Sequence, residues 1–259
     1  MSKLKNKLIN NKITIGSWMT LAHAGIAEIL AKTGFDWLVI DLEHSVITIR
    51  EAEELIRIIE LHGITPLVRL SSNDSTQTKR VMDAGAHGVI VPMVNSAEDA
   101  LRAVNGVHYP PIGKRGVGLA RAQGYGSNFN DYVTWLRQES IVIVQIEHID
   151  AVEHLEEILS VNGIDGFLVG PYDLSGSLGI PGEFDHPYMK EAMKKIDDII
   201  HSSEKAAGIH IVEPDIQKLN ENILKGYRFL AFSLDIRMFQ SSCFNYYKAI
   251  NKILKNQTD

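Results

Sequence analysis

The chain predicts an α/β protein, most simply an eight-stranded (β/α)8 barrel, and three observations carry that reading. Four segments echo one another: GFDWLVI from Gly34, GAHGVIV from Gly85, GIDGFLV from Gly163 and GYRFLAF from Gly226. Each is a glycine that can end a helix in the left-handed conformation, one or two polar residues, and an apolar run. Between them lie four more short apolar runs, and successive runs are separated by helix-like segments with apolar residues at three- and four-residue spacing.

The elements follow in order. ITIGSWM from Ile13 is the first strand, AGIAEILAKTG from Ala24 the first crossover helix, and GFDWLVI the second strand. IREAEELIRIIELHG from Ile49 leads to ITPLVRL from Ile64. Asn73-Asp74-Ser75 caps the helix before GAHGVIV, and Ser96 caps the one after it. SIVIVQIE from Ser140 is the fifth strand, followed by the helix AVEHLEEILSVNG and the strand GIDGFLV. HPYMKEAMKKIDDIIHSSEKAAG, GIHIVE from Gly208 and GYRFLAF complete the series. The runs are apolar at successive residues, as in parallel strands covered on both faces. A doubly wound open sheet fits less well, because no G-x-G-x-x-G follows the first strand and the rhythm continues to the end. The expectation is one barrel domain over residues 1–259. Residues 107–128, VHYPPIGKRGVGLARAQGYGSN, break the rhythm; Arg115, Arg121 and Tyr125 give this loop a binding role or a place against a neighbouring subunit.

Composition narrows the function. A net charge of −6 opposes a nucleic-acid partner, which needs clustered lysine and arginine. Cys243 is the single cysteine, so neither a disulfide framework nor a thiolate zinc site is expected. The basic start MSKLKNKLINNKITIG lacks the apolar core of a signal peptide, and no run approaches the ~20 apolar residues of a membrane span. A cytoplasmic protein without membrane or nucleic-acid partners is expected.

In a barrel of this kind, chemistry gathers at the carboxyl ends of the strands. There the sequence places Trp18; Asp41, Glu43 and His44; Arg69; Pro92 and Met93; Gln145, Glu147 and His148; Gly170, Pro171, Tyr172 and Asp173; and His210. Glu147 and Asp173 end consecutive strands, which run roughly 5 Å apart. Two bare carboxylates that close would repel, and a divalent cation relieves this; oxygen ligands suit Mg²⁺ or Mn²⁺, with Co²⁺ a further candidate. Taken alone, Asp173 is equally read as the cap of the next helix. The fork of Arg69 suits a 2-oxo acid or a developing enolate, or it is a surface charge. His44 is a general base or a hydrogen-bonded structural residue. Gly170 would let the backbone approach an anion, and Pro171 would stiffen the turn.

DLEHS at 41–45, VRL at 68–70, YPPIGKRGVG at 109–118, VQIE at 144–147 and VGPYDLSGSLG at 169–179 resemble the HpcH/HpaI aldolase family, from about Ile15 to about Asp235. The resemblance implies a metal-dependent pyruvate aldolase, a barrel in a homohexamer with the last helix on a neighbouring subunit, and Glu147 and Asp173 as metal ligands. It gives Arg69 the pyruvate oxygen and His44 a proton transfer. It gives Asp83 the orientation of that histidine, within the chain or across a subunit boundary. Trp18 and Gln145 would line the pyruvate pocket, and backbone amides near Gly170, Pro171 and Tyr172 would receive the carboxylate. Tyr172 stands where the family usually has a small residue, and His210 where an apolar residue governs aldehyde fit, so the second substrate stays open. The implied reaction is cleavage of a 4-hydroxy-2-oxo acid of the 2-keto-3-deoxy type to pyruvate and an aldehyde. Its rivals are a lyase of a CoA thioester or other 2-oxo acid, a Schiff-base aldolase needing a strand-end lysine, and an idle assembly subunit.

Overall fold

The computed structural model describes residues 3–256. The strands are β1 (Thr14–Met19), β2 (Trp37–Asp41), β3 (Thr65–Arg69), β4 (Gly88–Val91), β5 (Ile141–Ile146), β6 (Gly166–Val169), β7 (Ala206–Ile211) and β8 (Phe229–Leu234). All pair in parallel in sequence order, and β8 closes on β1. This is the (β/α)8 barrel that the glycine echo predicts. Gly34, Gly85, Gly163 and Gly226 all have φ between 98° and 105°, a region that side chains other than glycine resist. Asp74 and Ser96 cap their helices as expected, accepting from the N–H groups of Thr76 and Asp99.

Alternation along the strands sorts residues into two cores. Leu38, Ile40, Val68, Val142 and Val144 face the helices, whereas Trp37, Val39, Leu67, Ile143 and Leu168 fill the barrel interior. Two rings set the interior packing: Trp37 stacks on Phe229 with centroids 4.1 Å apart. Glycine makes room for them, since a Cβ on Gly16 would lie 2.0 Å from the Trp37 ring and one on Gly208 would lie 2.9 Å from Phe229.

The amino-terminal end of the barrel carries a plug that the sequence reading missed. Helix Lys3–Ile9 drives Leu4 and Leu8, one turn apart, into the interior cluster. Lys5 donates to Asp165 at 2.6 Å and Lys7 to Asp36 at 2.5 Å. The second oxygens of these acids accept from the Val142 and Ile15 N–H groups, so the aspartates of the echo tie the plug to the strand starts.

Two elements differ from expectation. The helix after β5 starts at Ile149 and breaks at His154, which leaves helical geometry, giving Ile149–Glu153 and Leu155–Ser160. The loop at 107–128 joins the returning helix Ala97–Val107 to a further helix, Phe129–Glu139, that precedes β5, so it begins at the end of the barrel where the strands start. Its arginines are engaged within the chain: Arg115 with Asp83 and Tyr132, Arg121 with Glu60 and the Ala84 carbonyl. The final helix, Asp235–Lys255, buries only Asp235 and leaves Phe239, Phe244, Tyr247 and Ile250 exposed. No helix among the described residues is long and apolar enough to cross a membrane.

Candidate active site

Following the inward alternation to each strand's carboxyl end generates the site. Trp18, Asp41, Arg69, Gln145 and His210 occupy these last inward positions, and Glu147 and Gly170 lie just beyond β5 and β6. Trp18, Arg69, Gln145, Gly170, Pro171, Tyr172, Asp173 and His210 line one cavity, and Glu147, Tyr172 and Asp173 line the open mouth beside it. The structure therefore brings together all but two of the expected residues.

Arg69 is the organising cation. Pairing of β2 with β3 sets it opposite Asp41. The guanidinium donates to both carboxylate oxygens, Nε at 2.9 Å and Nη2 at 2.7 Å. Its third nitrogen, Nη1, lies 3.0 Å from Glu43 Oε2. Trp18 stacks 4.3 Å below the guanidinium carbon, and the His210 ring lies 5.2 Å from the indole. Burial pushes the Asp41 carboxyl up, but the Arg69 hydrogen bonds and charge, helped by the Glu43 and His44 N–H groups, hold it below its usual range. Asp41 thus fixes Arg69 with a two-point fork, and it reaches His44 only through a backbone N–H.

Three carboxylates stand at this rim, Glu43 beside Arg69 and Glu147 and Asp173 at the open mouth. Glu147 is 3 % exposed; Oε1 accepts from the Met93 N–H at 2.7 Å and Oε2 from the Gln145 amide. Burial pushes Glu147 up to about 7, with the Glu43 and Asp173 charges adding to it against the Met93 N–H. Glu43 is likewise pushed up to about 7, first by burial and then by Asp41 and Asp173, against the pull of Arg69. Asp173 itself is exposed, in the first turn of helix Pro171–Ser177. Glu43, Glu147 and Asp173 thus lie within electrostatic reach of one another. The sequence reading treated Glu43 only as a neighbour of His44. Met93 was placed at the rim without a role; its φ of +52° aims its N–H at Glu147, and nothing in the sequence signals that.

The oxygen donors at the mouth suit a hard dication held by two carboxylates. Glu147 and Asp173 line the same mouth and the buried Gln145 Oε1, an acceptor, has no partner, while no cluster of three or more His, Cys, Asp or Glu ligands occurs among the described residues, so the chain would supply only part of the coordination shell. A site with two protein carboxylates leaves positions for water and substrate oxygens, as Mg²⁺ prefers. Gly170 has a specific steric role here. A Cβ on it would lie 3.1 Å from Gln145 Nε2 and 3.2 Å from Glu147 Oε2. Its φ of −101° suits any residue, so Gly170→Ala should leave the melting temperature nearly unchanged while displacing Glu147. Isothermal titration should then show Mn²⁺ affinity reduced about 10- to 100-fold.

The remaining expected residues are placed as follows. The His44 side chain is 62 % exposed, with Nε2 3.8 Å from Glu43 Oε2. Asp83 ends helix Ser75–Asp83, which returns to the amino-terminal end of the barrel, and it binds Arg115 at 2.5 Å. It does not meet the His44 of its own chain. The backbone amides expected to bind a carboxylate also shift: Gly170 donates to the Ile146 carbonyl and Pro171 has no N–H, leaving the first-turn donors of Tyr172 and Asp173. His210 gives Nε2–H to the Ser233 carbonyl at 3.3 Å, and burial pushes its pKa down to about 4, so the ring is neutral. No lysine lies on any of the eight strands.

A profile of the HpcH/HpaI aldolase/citrate lyase family matches residues 14–242. The hydroxypyruvate/pyruvate aldolase of Sagittula stellata is 36 % identical over 242 residues, 93 % of this chain and 94 % of that protein. The 2-keto-3-deoxy-L-rhamnonate aldolase of Escherichia coli K12 is 35 % identical over 240 residues, 92 % of this chain and 89 % of that one. Among solved structures, a family protein from Burkholderia cenocepacia J2315 superposes with a TM-score of 0.91 at 30 % identity, covering 97 % of this chain and all of that one.

Proposed function

Since the chain belongs to the HpcH/HpaI aldolase/citrate lyase family, we propose that it reversibly cleaves a 4-hydroxy-2-oxo acid, of the 2-keto-3-deoxy type, to pyruvate and an aldehyde. The observation that carries this reading is one cavity lined by the held guanidinium of Arg69 and by Asp173, with Glu147 at the open mouth beside it. Glu147 and Asp173 would hold a divalent cation, Mg²⁺ or Mn²⁺, which supplies Lewis-acid polarisation of the 2-oxo group.

The chain's own groups do the rest. Cleavage of the C3–C4 bond leaves its electron pair on the pyruvate fragment, with charge on the former keto oxygen. Arg69, held by Asp41 and Trp18, presents fixed positive charge to it without reorganising. The Tyr172 and Asp173 N–H groups receive the substrate carboxylate, and Trp18 and Gln145 wall the pocket. The C4 hydroxyl proton leaves toward His44 at the rim, with Glu43 beside it, and C3 of the enolate takes one proton back from His44, directly or through solvent, to give pyruvate and restore the base. Asp83 lies at the opposite end of its own barrel, so any part it plays with a histidine is played on a second copy. The exposed apolar side chains of helix Asp235–Lys255 support such an assembly, a homohexamer of one-domain cytoplasmic subunits.

The CoA-thioester alternative loses the basic loop it needed, because Arg115 and Arg121 are paired internally. A Schiff-base route lacks a strand lysine. Incubation with 4-hydroxy-2-oxo acids should release pyruvate. EDTA should stop the release, Mg²⁺ or Mn²⁺ should restore it, and borohydride should trap nothing. Turnover that survives exhaustive chelation would refute the reading.

A further inference from the structure

Residues 41–45, DLEHS, form a turn whose backbone is pinned from within. Asp41 Oδ1 accepts from the N–H groups of Glu43 at 3.0 Å and His44 at 3.3 Å, and the Ser45 hydroxyl donates to the Asp41 carbonyl. The side chains of Glu43 and His44 therefore leave a fixed backbone, built on the same aspartate that holds Arg69 with two nitrogens. Glu43 meets the third nitrogen: its Oε2 lies 3.0 Å from Arg69 Nη1. That oxygen is buried and accepts no hydrogen bond, a costly state for a carboxylate. Beside it stands the largely exposed imidazole of His44, with Nε2 3.8 Å away, and no other acid among the described residues lies within ion-pair distance of that ring.

Resting on the aldolase reading, we propose that Glu43 is the positioning residue for His44: its Oε2 accepts from Nε2–H of the ring, which leaves Nδ1 as the bare nitrogen that takes the C4 hydroxyl proton. Moving the exposed ring about 1 Å closer completes the bond and satisfies the orphaned oxygen. The tautomer of a histidine is set by what its other nitrogen bonds, and Arg69 keeps Glu43 from following the ring into solvent. In cleavage the C4 hydroxyl gives its proton to Nδ1, the C3–C4 electron pair passes to the enolate, and the aldehyde carbonyl forms. The Glu43 carboxylate balances the imidazolium until a proton returns to C3. Asp83, to which the family resemblance gives this task, is bound to Arg115 at the other end of its own barrel, whereas Glu43 is in place within the chain. Burial pushes Glu43 up to about 7, with Arg69 opposing and Asp41 and Asp173 adding, so at pH 8 it is mainly the carboxylate.

The test is a double-mutant cycle at pH 8 with Mg²⁺. Glu43→Gln keeps the shape and an acceptor oxygen but removes the charge. It should lower kcat for pyruvate release about 10- to 100-fold, a part of what a general base supplies, and leave KM for the oxo acid within about twofold. In a His44→Asn background the same substitution should change the residual kcat by less than about twofold, because the group it positions is gone. A second readout needs no Glu43 variant. In ¹⁵N spectra of histidine-labelled native protein, with His44 assigned by its loss in His44→Asn, the ring proton should lie on Nε2. Losses that multiply in the double variant, a raised KM with unchanged kcat, or a proton on Nδ1 would overturn the proposal. Failure of the aldolase reading itself would look different: the native enzyme would release no pyruvate from any 4-hydroxy-2-oxo acid.

Discussion

Glu147→Gln should reduce pyruvate release by about 10³-fold and abolish the rise in melting temperature that Mn²⁺ or Mg²⁺ gives the native protein. Lewis-acid activation of the oxo group is worth several kcal/mol, and each 1.36 kcal/mol is a factor of ten. The variant should fold, because the amide preserves the packing. Its oxygen can still accept from the Met93 N–H, and its nitrogen can donate to Gln145 Oε1, which lacks a partner in the native site. Stability gives a second readout. In the metal-free protein burial pushes both Glu43 and Glu147 up to about 7, above the ordinary value of 4.5. The folded state therefore holds protons that the unfolded chain has released, and metal-free stability falls as pH rises from about 4.5 through 7. Removing one of the two should make metal-free Glu147→Gln more stable than native protein at pH 8, with little difference at pH 4.5. Retained turnover, or an unaltered metal-dependent shift in melting, would remove Glu147 from the metal site.

Much of this was legible because two periodicities of the chain are strict. The glycine echo marks where each returning helix turns into a strand, and inward alternation then determines which side chain each strand offers at the rim. Trp18, Arg69, Gln145 and His210 were readable in that way, since a residue's parity along a strand fixes its face. Glu43 was not, because it lies beyond the strand, where Asp41 accepts its N–H and no parity rule holds. The role of Met93 escaped for a similar reason: a backbone N–H carries no side-chain signature, and only the left-handed φ directs it. Asp83 shows the converse. Its residue type suits a partner for His44, but a helix after a parallel strand must return to the far end of the barrel, so topology separates them within one chain. The plug Lys3–Ile9 was hidden by shortness, since two apolar residues one turn apart give too little periodicity to stand out beside basic neighbours.

Arg69→Lys should lower kcat about 10²- to 10³-fold while changing KM for the oxo acid much less, with pyruvate C3 proton exchange falling in parallel. Charge is retained, so the loss isolates geometry. Arginine occupies Asp41 with two nitrogens and still extends Nη1 toward Glu43, whereas one ammonium can satisfy Asp41 or reach the pocket, not both. Losing one fixed donor at a developing oxyanion typically produces a decrease of this size. Lysine is the informative replacement. Alanine would leave Asp41, 2 % exposed, as an unpaired buried charge, destabilising by about 3–5 kcal/mol, and a loss of activity could then be a loss of fold. With lysine the penalty should be about 1–3 kcal/mol, a few degrees in melting temperature, leaving the barrel folded at assay temperature. Asp41→Asn supplies the complementary comparison: it keeps the guanidinium but loosens its fork, so kcat should fall less than in Arg69→Lys while the pocket stays cationic. If Arg69→Lys exchanged pyruvate protons at the native rate, the guanidinium would be a strut for the rim rather than the group that faces the enolate.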